Sequence, residues 1–152
     1  MTRAMFVTVV LGLGACAGET PPGGSPEAPC AAYAESACLM ADAMADPGRV
    51  PPPERVSEVL RAAFAFWGAP ADALSGWRVV FTFDGPICNC PDAGACTIWS
   101  AREIRILVPR LGSCPEGALV HELGHVILPG GDPGHADPRF GRLRNVLATL
   151  GC

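Results

Sequence analysis

His121, Glu122 and His125 are the residues of this chain whose types and spacing most directly imply chemistry. They form an H-E-x-x-H pattern inside Val120-His121-Glu122-Leu123-Gly124-His125-Val126. Residues four apart on a helix are neighbours, with about 5–6 Å between Cβ atoms, so His121 and His125 can chelate one ion with a carboxylate beside them. The sequence holds only three histidines, and the third, His135, lies ten residues after the second. Two imidazoles, a carboxylate and a further donor nearby point to a metal ion used for hydrolysis.

Such chemistry requires a helix under the motif and a loop that folds back on it. Ser113-Cys114-Pro115-Glu116 resembles a capping box, S-x-x-E, with Pro115 suited to the first turn. Pro129-Gly130-Gly131 stops the helix, so the motif is expected in the middle of a segment of about fourteen residues. Gly130, Gly131 and Gly134 let the following loop return His135 toward the helix. Asp137-Pro138 should cap a last helix. Its apolar stripe is Phe140, Leu143, Val146, Leu147 and Leu150, opposite Arg139, Arg142 and Arg144.

The upstream elements read as scaffold. Residues 54–67 place Val56, Val59, Leu60, Ala63, Phe64 and Trp67 at helical spacing, with Pro53 in the first turn and Gly68 at the end. That face is core. Residues 77–83 alternate, with Trp77, Val79, Phe81 and Phe83 on one side, and predict a strand. Residues 97–108 predict one or two more strands. Arg102, Glu103 and Arg105 there suit a sheet edge, which could receive an extended peptide. The Ala-rich residues 30–45 predict a modest helix stopped by Asp46-Pro47-Gly48. The expected architecture is α+β: a short mixed sheet, a motif-bearing helix and a C-terminal helix, stabilised by disulfides, over residues 30–152.

Composition narrows the classes. One domain is the natural expectation for 152 residues, and an apolar fraction of 49% suffices for a core. A net charge of −4 without a basic cluster argues against nucleic acid as a partner. Residues 1–15 read as an export signal, with Arg3 as the positive n-region and an apolar h-region from Met5 to Leu13. Leu13-Gly14-Ala15-Cys16 resembles the lipobox of bacterial lipoproteins. That resemblance implies cleavage before Cys16, acylation of Cys16 and anchoring to a membrane. Ala17 resembles a signal for sorting to the outer membrane. Residues 16–29 then form a flexible Gly/Pro/Ser-rich tether.

Seven cysteines remain in an exported chain: Cys30, Cys38, Cys88, Cys90, Cys96, Cys114 and Cys152. In an oxidising compartment they are expected mostly as disulfides, with at least one left over because seven is odd. Connectivity stays open from sequence. Were Cys30 and Cys38 on one continuous helix, about 12 Å of rise would keep them from bonding.

The motif and the order of elements over roughly residues 54–150 resemble the zincin group of metallopeptidases, in which an edge strand runs beside the motif helix. The resemblance implies that His121 and His125 bind Zn²⁺ and that Glu122 is the general base activating a zinc-bound water. It also implies a peptide or protein substrate, and the chain is expected to act as a monomer. The spacing departs from two subfamilies. Metzincins continue with H-x-x-G-x-x-H and a Met-turn, whereas nine residues separate His125 from His135 here and no Met follows. Gluzincins use a downstream Glu, and none follows Glu122. His135 is taken as the third metal ligand, with Asp137 and Asp132 as alternatives. Asp137 also reads as a helix cap, and Asp132 as a turn residue or a hydrogen-bond partner of a ligand imidazole. Two other classes stay open: a metal-binding lipoprotein without catalysis, and a disulfide-stabilised protein-interaction module.

Overall fold

The amphipathic segment after the proline run forms helix α1, Pro53–Trp67, in the computed structural model of the chain, which describes residues 29–42, 46–88 and 91–152. Pro53 occupies the first turn, where a missing N–H costs nothing. Gly68 ends the helix in the left-handed conformation at φ 69°. Val56, Val59, Leu60, Ala63, Phe64 and Trp67 are all buried, as their spacing requires. Each large side chain buried in this way contributes about 1.5–3 kcal/mol. The export signal, Cys16 and all of the tether before Pro29 lie outside the described residues. No helix among the described residues is long and apolar enough to cross a membrane.

Five strands make one mixed sheet. They are β1 (Ala32–Ala34), β2 (Ala37–Ala41), β3 (Arg78–Thr82), β4 (Ala95–Ile98) and β5 (Glu103–Leu107), in the order β1-β2-β3-β5-β4. β2, β3 and β5 are mutually parallel neighbours, and the flanking β1 and β4 run antiparallel. Helix α1 is the crossover that parallel pairing of β2 with β3 needs. Val79, Phe81, Ile104 and Ile106 alternate onto the face that packs with α1 and the motif helix. On the other face Ile87, Cys96, Ile98 and Leu107 form a smaller cluster. The fold is α+β, as expected.

Over residues 30–42 the expected helix is not there and a β-hairpin stands in its place, while residues 43–45 lie outside the described residues. Glu35 and Ser36 form the hairpin's two-residue turn, at φ 44° and 65°, the signs that match the twist of paired strands. Ala34 and Ala37 are fully buried against the main core. Their small side chains let the hairpin pack tightly on that core, with β1 against α1, which overrides the weak helical preference of alanine. With the chain folded back on itself, the Cα atoms of Cys30 and Cys38 lie 5.3 Å apart and the two form a disulfide. The helical separation that would have prevented this bond does not arise.

A second correction concerns the edge. Arg105 and Glu103 lie in β5, an interior strand, and the two edges of the sheet are β1 and β4. Buried Glu103 is held by Arg78 at 3.2 Å and by Arg105, so the charges are satisfied by pairing rather than by solvent. Arg102 makes the left-handed turn between β4 and β5 at φ 48°.

The motif helix α2 is Ala118–Ile127, ten residues, shorter than expected and entered through a 3-10 turn, Pro115–Gly117. Ser113 and Glu116 do not cap it. Glu116 is instead buried and paired with Arg55 of α1 at 2.9 Å. The same guanidinium bonds the carbonyl of Leu150 at 2.6 Å, joining α1, the start of α2 and the chain end. The last helix α3, Leu143–Thr149, follows a 3-10 turn at Phe140–Arg142. Cys114 and Cys152 close a covalent loop around α2, the His135 loop and α3. Cys88 pairs with Cys96, while Cys90 lies outside the described residues.

Candidate metal centre

One turn of α2 puts His121 and His125 on the same face, and their Nε2 atoms are 3.1 Å apart. The loop after α2 brings in His135, whose Nε2 lies 3.1 Å from that of His121 and 3.2 Å from that of His125. Three donors about a tetrahedral ion with bonds of 2.0–2.1 Å would be about 3.3–3.4 Å apart. The observed triangle is therefore within a few tenths of an ångström of what a bound ion would set. The three histidines form a group that could hold a metal ion.

The loop that returns His135 runs repeatedly through the left-handed region, which glycine adopts freely and Asp or His much more rarely. Gly130 and Gly131 have φ of 66° and 74°, and Asp132 and His135 have φ of 41° and 53°. Asp132 offsets that strain by accepting the amides of Ala136 at 2.9 Å and Asp137 at 2.8 Å. Those two bonds hold its carboxyl below the usual range. Asp132 is thus the turn residue, and not one of the cluster. Asp137 accepts the backbone and side-chain N–H groups of Arg139, and the guanidinium beside it pulls its carboxyl down to about 2. Asp137 also stays out of the cluster. Among the three candidates for third ligand, the structure brings only His135 to the pair.

The backbone orients His125. His125 Nδ1 faces the carbonyl of Gly131 at 2.5 Å, so Nδ1 must carry the proton and Nε2 must present its lone pair. Phe140 lies under all three rings, with centroid separations of 5.1, 5.2 and 4.5 Å to His121, His125 and His135. This apolar base, together with burial, disfavours imidazolium. Burial lowers the pKa of His121 to about 3, helped by the neighbouring His125 and His135, and it lowers that of His135 as well. Neutral imidazoles are the form a metal requires.

Glu122, one position along α2 from His121, reaches toward β4. It is 4% exposed, and its Oε2 accepts the hydroxyl of Thr97 at 2.8 Å. Burial pushes this carboxyl up to about 7, and the Thr97 hydrogen bond works against the rise. So the edge strand runs beside the motif helix, joined to it by a side-chain bond.

Gly124 sets how closely α1 can approach the site. A Cβ at this position would lie 2.5 Å from the Trp67 ring and 2.9 Å from Phe140. Trp67 has no room to yield. It is buried, its indole N–H donates to the Val120 carbonyl at 2.6 Å, and the Arg139 guanidinium covers its ring at 4.9 Å. Arg139 also bonds the Trp67 carbonyl at 2.9 Å, so it clamps the scaffold rather than facing the histidines.

Sequence reasoning missed Thr97, the Gly131 carbonyl and the role of Phe140. A backbone carbonyl has no sequence signature, and Thr97 has no fixed spacing from Glu122. Phe140 fits the apolar stripe of the last helix, a pattern that carries no sign of the three imidazoles it packs against. Gly124 did leave a signal, because glycine inside a helix costs about 1 kcal/mol relative to alanine and marks close packing.

No protein-family model, no curated protein and no solved structure matches this chain.

Proposed function

We propose that this chain is a zinc-dependent peptidase of the zincin type, carried on an exported, lipid-anchored protein. The observation that carries the reading is the convergence of three Nε2 atoms, with a buried glutamate next in the chain to His121 and held by an edge strand. His121, His125 and His135 would hold Zn²⁺. Imidazole suits zinc, and three protein donors with an open fourth position is the arrangement of catalytic rather than structural zinc. When bound, the ion supplies Lewis acidity, acidifying water and sharing the negative charge that develops on a carbonyl oxygen.

The chain's own residues supply the rest. Gly131 fixes His125 in the tautomer that presents Nε2 outward. Thr97 occupies Oε2 of Glu122, and Oε1 is the oxygen left to take a proton from water attacking a peptide carbonyl. The same carboxyl then returns that proton to the departing amine. Phe140 and the buried core behind it keep water off one side of the histidines. The exposed β4 edge offers backbone groups on which an extended peptide could align.

A second reading keeps the metal and drops hydrolysis. It is favoured by Arg139, which is fully engaged with Asp137 and Trp67 and so leaves oxyanion charge to the ion alone. Incubation of the purified protein with a broad peptide library separates the two. Peptide cleavage that stops with a chelator and returns with added Zn²⁺ is the expected result. A protein that binds zinc and cuts no peptide in the library would leave only the metal-binding reading.

A further inference from the structure

Trp99, the first residue after β4, is 49% exposed, and among the described residues only it and Tyr33 are large apolar side chains left so open. Unlike Tyr33 it stands beside the candidate site. Its ring packs edge-on against buried Trp77, with centroids 5.4 Å apart at 78°. On its other side it meets Gly131, where an added Cβ would lie 3.1 Å from the indole nitrogen. Gly131 is the residue whose carbonyl orients His125. Trp99 is thus held in place from two sides while one surface stays open to solvent.

The ladder between β4 and β5 shows how a peptide would meet it. The Leu107 amide donates to the Gly94 carbonyl at 2.8 Å, which fixes the phase of the antiparallel ladder. By alternation, Cys96 and Ile98 exchange bonds with β5, and Ala95 and Thr97 turn their amides and carbonyls to the open edge. The Thr97 side chain faces Glu122, and Trp99 shares its parity in the chain. A peptide adding antiparallel to β4 with its reacting bond at the level of Thr97 therefore runs its amino-terminal side toward Trp99. The facing side chain would lie about two residues before that bond.

We infer that Trp99 is the wall of a subsite selecting an aromatic or large aliphatic side chain on the amino side of the bond attacked. The inference rests on the peptidase reading and names its substrate preference. A rigid indole offers apolar area and an edge or face for an aromatic partner, at little entropic loss.

The test uses zinc-loaded Glu122→Gln protein and two pools of fluorescein-labelled octapeptides on an Ala/Ser background. One pool carries a single Phe at varied positions, and the other carries Ala there. Fluorescence anisotropy should show the Phe pool binding about tenfold more tightly, the scale on which an apolar pocket discriminates. Trp99→Ala should remove the preference while zinc content stays unchanged. Trp99→Phe, which keeps an aromatic ring on Trp77, should retain part of it and guards against a folding defect. Equal binding of the two pools, or a preference that survives Trp99→Ala, would overturn the inference. Failure of the hydrolytic reading is seen separately. Selective binding without cleavage of the Phe pool by the unsubstituted protein removes the peptidase and leaves the subsite. Where cleavage occurs, Phe on the carboxyl side of the cut would contradict the assignment.

Discussion

Glu122→Gln is expected to abolish peptide cleavage, by about 10²–10⁴-fold in kcat, while zinc content stays at the level of the unsubstituted protein. The amide is nearly the same size and cannot take a proton from water, so only the proton-transfer role is removed. Its oxygen can still accept the Thr97 hydroxyl, which preserves the link from α2 to β4. The site should therefore stay folded. Burial of Glu122 sharpens the expectation, because a neutral amide is easier to bury than a carboxylate. Stability should be equal or slightly higher. Thermal unfolding and zinc analysis, done on the same sample as the kinetics, check all three outcomes. Loss of zinc together with activity would show that Glu122 acts through the fold and not through the chemistry.

His125→Ala has the second largest expected effect, a loss of zinc affinity of more than a hundredfold. Removing a partner that merely orients a metal ligand costs 10–100-fold, and this substitution deletes the donor itself. It also leaves the Gly131 carbonyl without its imidazole partner, loosening the loop that returns His135. Two of three donors are affected by one change. The stabilisation that zinc confers on the folded chain, about 2.7 kcal/mol at a hundredfold excess over Kd, should vanish with it. Added zinc would then no longer raise Tm. His121→Ala should behave similarly in affinity. It should disturb the loop less, because His121 makes no contact of that kind to the Gly131 carbonyl.

The covalent framework bears on both variants. The Cys114–Cys152 disulfide spans 38 residues that include all three histidines. On a loop-entropy basis such a link constrains the unfolded chain by about 4 kcal/mol. The histidine cluster is therefore held by a frame that does not depend on a metal, which is why His125→Ala should fold.

How much of this was legible in the sequence follows from the range of the interactions involved. Helix α1 and strand β3 could be read because each buries one continuous face, which leaves a periodic record in the residues. The motif helix could be read because the i, i+4 spacing of His121 and His125 is helical and Pro129-Gly130-Gly131 marks its end. The β1–β2 hairpin was not legible. Its turn is Glu35-Ser36, without the Asn or Gly that normally marks the left-handed conformation, and its alanines suit a helix equally well in isolation. Only close packing on α1 decides the matter. The interior place of β5 was hidden for a similar reason. Glu103, Arg78 and Arg105 look like an exposed edge until their mutual pairing across strands is known. In the site, the histidines were evident and their supports were not, because Thr97, Gly131 and Phe140 act over contacts that no local pattern encodes.

The central claim is that His121, His125 and His135 together hold one zinc ion. Zinc analysis combined with X-ray absorption at the zinc edge tests it directly on the full, unsubstituted chain. The expected result is one zinc per chain, with three imidazole nitrogens at about 2.0–2.1 Å and one lighter oxygen donor. A zinc-free protein after exposure to the ion, or a shell built on sulfur or on carboxylates in place of three imidazoles, would contradict the account.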